Sequence, residues 1–359
     1  MEFLQAISRT DVYDILETRD FPVRSSELTL KYRRECPESL LAFKNNSLPF
    51  GEWREKCAAK LAELLNISCP PEPCEVYELR RTNAGGVDVA ALVMCVDVNL
   101  SIPAYLLLPE RSRRLDAAVM AIHGHGEVGA VIGIENDYHH MFALELAKAG
   151  HAVLCPELRG FGALRDVATQ LKGHSLDYWS YEKYRQFTLA SDAFLKGHTM
   201  IGESVLDLLR WEDWLFAKLG ISALHAAGIS YGGDLALTYP VFSKRVDRIF
   251  ASGTLGSFSV IYEKCYNAPA HCIPGVLQWM DRADIAGLNA PRRMAIHYGE
   301  LDVPSEDNAS ASYNETVGRS MEDLKDIYRA AGCEENIHLL VTPNAGHEMD
   351  IAALKGFLE

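Results

Sequence analysis

The 359-residue chain has no apolar run approaching the roughly 20 residues that span a bilayer, and no basic-then-apolar start of the secretory kind. Its opening, MEFLQAISRTDVYDILETRD, carries acids where an export signal needs an apolar stretch. The expectation is a soluble, cytoplasmic protein without membrane attachment. Positive charge is also short. Lys and Arg number 35 against 49 Asp and Glu, for a net charge of −14 with His neutral. Nucleic acid is therefore not expected as a partner, because phosphate binding needs clustered positive charge. No internal repeat, low-complexity tract or block of like charge interrupts the chain. The nine cysteines are odd in number and scattered, which excludes a disulfide framework and fits reduced thiols, several of them buried as small apolar residues. Cys69 and Cys74 flank a proline-rich turn, but no second cysteine pair or nearby His completes a zinc site, so no metal is expected.

What is present is a mixture of 48% hydrophobic and 23% charged residues, enough to bury a sizeable core. Apolar positions recur at helical spacing in FLQAISRTDVYDIL and WREKCAAKLAELLNI, so residues 1–70 read as an N-terminal helical extension closed by Pro70, Pro71 and Pro73. Three strand-like stretches follow, CEVYELRRT, VDVAALVMCV and IPAYLLLPE. From AAVMAIHG onward, short apolar runs alternate with amphipathic segments. The strands are AAVMAI, HAVLCPE, ALHAAGI, DRIFASGTL, RMAIHYGEL and IHLLVTP, and the helices include MFALELAKAG, ESVLDLLRWEDWLFAKLG, DLALTYPVF and IAALKGFLE. Alternating β and α with fully apolar strands predicts an α/β fold, a mostly parallel sheet covered on both faces. Residues 71–359 form this core, with insertions at about 163–198, rich in Tyr and Trp, and at 257–290.

The sharpest local motif is Gly228-Ile229-Ser230-Tyr231-Gly232-Gly233, placed between a predicted strand and a predicted helix. Glycines two residues either side of a serine permit a turn so tight that side chains there would clash, and the turn holds the hydroxyl up at the sheet edge. A serine is a poor nucleophile until a base takes its proton and an acid orients that base. Asp302 follows the apolar strand in IHYGELDVP, and His347 follows the last strand in LLVTPNAGHE. The required order Ser, acid, His is met, with Glu300 a rival acid on the same turn. The loop His123-Gly124-His125-Gly126 follows a strand, and the backbone N–H groups of His125 and Tyr231 are the expected oxyanion donors. His123 is expected to fix the loop by hydrogen bonds. Tyr231 either packs against the turn or contacts substrate.

The same loop also matches a dinucleotide fingerprint, Gly124-His125-Gly126-Glu127-Val128-Gly129, with Glu157 ending the next strand where a ribose-binding acid would sit. A nicotinamide-dependent oxidoreductase is thus a distant alternative. Against it, AVIGIENDYHH separates the third glycine from the helix MFALELAKAG, and Ser230, Asp302 and His347 would have no role. His123, His125, His139 and His140 lack a carboxylate or cysteine at ligand spacing, so they are read as loop and helix-start residues.

Together the HGHG loop, PELRGFG, GISYGG, APRRMAIHYGELDVP and the terminal AGHE resemble the α/β-hydrolase superfamily, in particular its dienelactone-hydrolase-like and acetyl-xylan-esterase-like members, over about residues 87–350. The resemblance implies a cofactor-free serine hydrolase with Ser230, Asp302 and His347 as triad and His125 and Tyr231 as oxyanion donors. It departs at Arg293, where the family usually has proline, and a dienelactone hydrolase proper would carry Cys in place of Ser230. The reading is a carboxylic ester hydrolase acting on a short acyl or acetyl ester. Peptidase or amidase, thioesterase and carbon–carbon bond hydrolase are the alternatives with the same triad, and association into a homodimer is left open.

Overall fold

The computed structural model describes residues 39–68, 70–164, 182–260, 269–303 and 314–359. Nine strands form one sheet: β1 (Glu75–Ala84), β2 (Val87–Asp97), β3 (Leu100–Pro109), β4 (Ala117–Ile122), β5 (Ala152–Pro156), β6 (Ala223–Ile229), β7 (Val246–Ser252), β8 (Arg293–Gly299) and β9 (Ile337–Thr342). Their spatial order is β1-β2-β3-β5-β4-β6-β7-β8-β9. The first three are an antiparallel meander joined antiparallel to β5, and every pairing from β5 to β9 is parallel. The nine strand-like stretches of the sequence are these nine strands.

The central parallel strands β4 to β7 are apolar on both faces because both faces are covered, while the edge strand β9 leaves Leu339 and Val341 exposed. In β4, Ala118, Met120 and Ile122 enter one core while Val119 and Ala121 enter the other, the two-residue period of a pleated strand. The same alternation separates Leu154 from Val153 and Cys155 in β5, and Ile249 and Ala251 from Phe250 in β7. On the second face lie α2 (Val128–Ile132), α3 (Phe142–Lys148) and α9 (Ile351–Leu358). On the first lie α1 (Phe50–Leu64), α5 (Met200–Leu219), α6 (Tyr231–Thr238), α7 (Arg282–Gly287) and α8 (Asn314–Ala330). Within α8 the buried residues Val317, Met321, Leu324, Ile327 and Tyr328 recur at three and four, a single apolar stripe. No helix among the described residues is long and apolar enough to cross a membrane.

The expected N-terminal extension lies largely outside the described residues, but α1 belongs to it. Its Trp53, Cys57 and Leu61 are fully buried in the first core, the Trp53 indole donates to the Leu41 carbonyl at 2.7 Å, and Arg54 donates to the Leu288 carbonyl at 3.0 Å. The 163–198 insertion contributes α4 (Glu182–Leu195), with 165–181 outside the described residues. The 257–290 insertion contributes short turns and α7, with 261–268 likewise outside.

Because Trp53 is buried in the common core, Trp53→Ala is expected to lower unfolding stability by about 3–5 kcal/mol, read from the urea midpoint and slope. A loss below about 1 kcal/mol would show that α1 is only attached to the core surface.

Candidate active site

Ser230 sits in the single residue between β6 and α6, with φ 58° and ψ −123°, a left-handed conformation that costs a non-glycine residue about 1–3 kcal/mol. The surrounding backbone leaves no alternative. A Cβ on Gly228 would lie 2.1 Å from the Gly232 carbonyl oxygen, and one on Gly232 would lie 2.1 Å from that of Ile122. The glycines of the motif are therefore required by close approach of β4, β6 and α6. The Ser230 N–H donates to the Ser252 carbonyl at 2.8 Å, tying the turn to the C-terminal end of β7.

Asp302 and His347 arrive at the same place from the ends of β8 and β9. His347 Nδ1 lies 2.8 Å from Asp302 Oδ2, and the carboxylate is buried to 1% exposure while the imidazole keeps 17%. Gly253, at φ 62°, lies against this pair: a Cβ there would meet His347 Cε1 at 2.7 Å and Asp302 Oδ2 at 3.5 Å. Ser230 and His347 thus converge on adjacent residues, Ser252 and Gly253. The Ser230 hydroxyl makes no direct hydrogen bond to His347 among the described residues. The rival acid Glu300 is exposed and accepts the Asn344 N–H at 3.0 Å, so it caps the turn after β9 and leaves the histidine to Asp302.

The loop after β4 is pinned peptide by peptide. The Gly124 N–H donates to His139 Nε2 at 2.8 Å, the Gly124 carbonyl accepts from His123 Nδ1 at 2.7 Å, and the His125 carbonyl accepts from the Tyr138 hydroxyl at 2.7 Å. A trans peptide sets its N–H opposite its C=O, so fixing the Gly124 carbonyl fixes the direction of the His125 N–H. Gly124 itself packs against the nucleophile turn, since a Cβ there would lie 3.0 Å from Ser230 Cβ. Tyr231 opens α6, in the first turn, where N–H groups have no partner within the helix. Its side chain is buried and packs: the ring lies 5.6 Å from Phe161 and 5.1 Å from His271, and its hydroxyl is 3.3 Å from Ser204 Oγ.

Sequence reasoning missed the supports of this loop. His139 is fully buried, and because its Nε2 accepts from Gly124 its Nδ1 proton goes to Asp137, at 2.8 Å. Burial, with the His123 imidazole nearby, holds His139 down to about 4 although Asp137 opposes the shift. In the first turn of α6, Asp234 is fully desolvated, yet Arg282, His271 and Thr254 hold its carboxyl down to about 2. Arg282 Nη2 donates to it at 2.9 Å, and both side chains are only 2% exposed. His271 in turn stacks on the His125 ring at 5.6 Å and 16°. The network joins the 257–290 insertion to the helix behind Ser230. The repeated His in DYHH was a usable local signal, but partners 15 to 48 residues distant leave no sequence pattern.

The nucleotide-binding alternative loses its ribose-binding acid. Glu157 is buried 2.9 Å from His123 Nε2 and fills the space where a Cβ on Gly162 would fall. The expectation that no helix follows the third glycine is corrected: Gly129 lies in the first turn of the five-residue helix α2, too short for the sequence pattern to reveal. Among the described residues no group of three or more His, Cys, Asp or Glu side chains is arranged to hold a metal ion.

No family model matches the chain, and no curated protein matches it in sequence. Solved structures do. A Bacteroides fragilis protein provisionally named an acetyl xylan esterase superposes with TM-score 0.69 at 14% identity, covering 89% of this chain and 83% of its own. A glucuronoyl esterase from Solibacter usitatus gives 0.60 at 11%, covering 89% and 96%, and acetyl xylan esterase 1 from Thermoanaerobacterium gives 0.54 at 16%, covering 95% and 99%. At these identities the likeness is one of fold, and the chain has the α/β-hydrolase fold.

The His139 environment sets a pH dependence. Its folded value lies below the ordinary 6.5, so the unfolded chain binds a proton the folded chain does not as pH falls from about 6.5 to about 4. Its contribution, on the order of 3 kcal/mol, is present above that window and lost on acidification through it. His225, held down to about 4 by burial, acts in the same direction. Urea unfolding from pH 7 to 4 should show falling stability, and His139→Gln should flatten the slope by close to one proton. An unchanged slope would contradict the assignment.

Proposed function

We propose that the protein is a serine hydrolase of carboxylic esters, with a short acyl group, acetyl foremost, on Ser230 in the covalent intermediate. The observation that carries this reading is the convergence of a strained turn serine and a buried Asp–His pair on Ser252 and Gly253. The named activities of the structural neighbours, acetyl xylan and glucuronoyl esterases, support an ester attached to a carbohydrate.

The chemistry follows from the tautomer. With Nδ1–H donating to the Asp302 carboxylate, His347 Nε2 carries the lone pair and takes the Ser230 proton as the hydroxyl oxygen attacks the ester carbonyl. The N–H groups of His125 and Tyr231 receive the developing oxyanion, each donor contributing roughly 3–4 kcal/mol in the transition state by comparison with measured donor deletions. The imidazolium gives its proton to the departing alkoxide oxygen, releasing the alcohol. Water then attacks the acyl-enzyme, His347 again taking and returning the proton, and the acid leaves with Ser230 restored. Asp302 accepts the Nδ1–H throughout and holds the ring orientation.

Short-chain aryl esters and a fluorophosphonate probe test the reading. The wild type should hydrolyse the esters and be labelled, Ser230→Ala should do neither, and Asp302→Asn should lose on the order of 10⁴ in kcat while Glu300→Gln retains activity. An inactive, unlabelled wild type, or a Ser230→Ala variant equal to it, overturns the assignment.

A further inference from the structure

Two of the elements assigned to catalysis, the loop of His125 after β4 and the loop of His347 after β9, lie far apart in the chain and share no strand. One short segment, 137–141, touches both. Towards the first, the Tyr138 hydroxyl donates to the His125 carbonyl at 2.7 Å and His139 accepts the Gly124 N–H at 2.8 Å. Towards the second, the Tyr138 ring lies 5.5 Å from the His347 ring, inclined by 32°, and the Tyr138 carbonyl accepts the Met349 N–H at 2.9 Å. His140 continues the contact: its Nε2 lies 2.6 Å from Glu348 Oε2, while Glu348 Oε1 accepts the Gly346 N–H at 3.1 Å. The residues either side of His347 are therefore both held by bonds that lead back to Tyr138 and His140.

The segment adopts this shape against its own backbone preference. His140 and Met141 have φ of 51° and 53°, two successive left-handed non-glycine residues. Each costs about 1–3 kcal/mol and persists only where surrounding contacts enforce it. His140, the first of them, is held to the loop of His347 through Glu348, and Met141 packs at Gly133.

Resting on the serine hydrolase reading, we propose that Tyr138 and the His140–Glu348 pair form a positioning brace that sets the base and the oxyanion donor at a fixed separation. Tyr138 is the central positioning residue. Its hydroxyl orients the peptide after His125, while its ring and carbonyl seat the loop of His347, so that neither can shift without the other. The nucleophile already stands on a rigid turn, and the brace supplies the same rigidity to the two groups that act on the proton and the oxyanion. Misplacement of such groups by about 1 Å can cost 100-fold in rate without altering the ground-state contacts of the substrate. The brace should therefore govern kcat and leave KM alone.

The test uses the full chain and p-nitrophenyl acetate. Tyr138→Phe keeps the ring and removes the hydroxyl that donates to the His125 carbonyl. It should lower kcat about 10-fold with KM within about 2-fold, and the thermal midpoint should stay within about 2 °C. Glu348→Gln, at a pair whose side chains are 40% and 38% exposed, should lower kcat in the same way with the thermal midpoint within about 2 °C. The double variant should lose less than the product of the single losses, because both changes loosen one device. Fluorophosphonate labelling of Ser230 should slow in parallel. Either variant retaining wild-type kcat while the wild type is active and labelled overturns the brace and spares the esterase reading. So does a rise in KM that matches the loss of kcat/KM, or strictly multiplicative losses. Should Tyr138→Phe fold poorly, the Glu348→Gln split of kcat from KM decides alone. A wild type that is neither active nor labelled removes the hydrolase reading and the brace with it.

Discussion

Everything at the candidate site depends on how closely four backbone segments can approach around Ser230. The end of β4, the end of β6, the start of α6 and the end of β7 meet there with no room for a Cβ at Gly228 or Gly232, and the serine accepts a left-handed backbone as a result. The sheet supplies the force for this approach. Its parallel strands bury both faces, so the chain ends of β4, β6 and β7 are fixed to one edge by cores that cannot yield without exposing Met120, Ala226 and Phe250. A strained residue is tolerable when so much packing determines its position.

From that edge the remaining parts assemble by adjacency. Ser252 receives the Ser230 N–H, Gly253 leaves space for the His347 imidazole, and Asp302 closes the array from the neighbouring strand end. Behind the turn, the buried Asp234–Arg282 pair with His271 and Thr254 fixes α6. Such a pair adds little stability over an apolar packing of equal volume, but losing one partner would leave an uncompensated buried charge, so the network enforces a single arrangement of the insertion over the helix. Its stack on His125 carries that order to the loop facing the nucleophile.

Much of this was legible in the chain itself. Strands such as AAVMAI and RMAIHYG announce themselves because both faces are buried and the apolar run is unbroken, and the elbow is legible because its glycines are demanded by local geometry. Asp302 and His347 were found by chain order and strand-end position, and the structure brings them within hydrogen-bonding distance. The supports were not legible. Tyr138 acts through a hydroxyl on a carbonyl 13 residues away, His140 through a carboxylate 208 residues away, and Arg282 through an acid 48 residues away. No periodicity encodes such pairs, which exist only once the sheet has brought the loops together. The short helix α2 was hidden for a related reason, since five residues are too few to show a period.

The central claim is that Ser230 forms a covalent acyl intermediate. It is tested most directly by quenching the protein in acid milliseconds after mixing with excess p-nitrophenyl acetate and mapping the peptides by mass. The account predicts a burst of nitrophenol close to one equivalent per chain, and a mass gain of about 42 Da, an acetyl replacing the hydroxyl hydrogen, on the peptide containing Ser230, absent in Ser230→Ala. Turnover without any acyl adduct, or an adduct on another residue with Ser230→Ala still active, would contradict it.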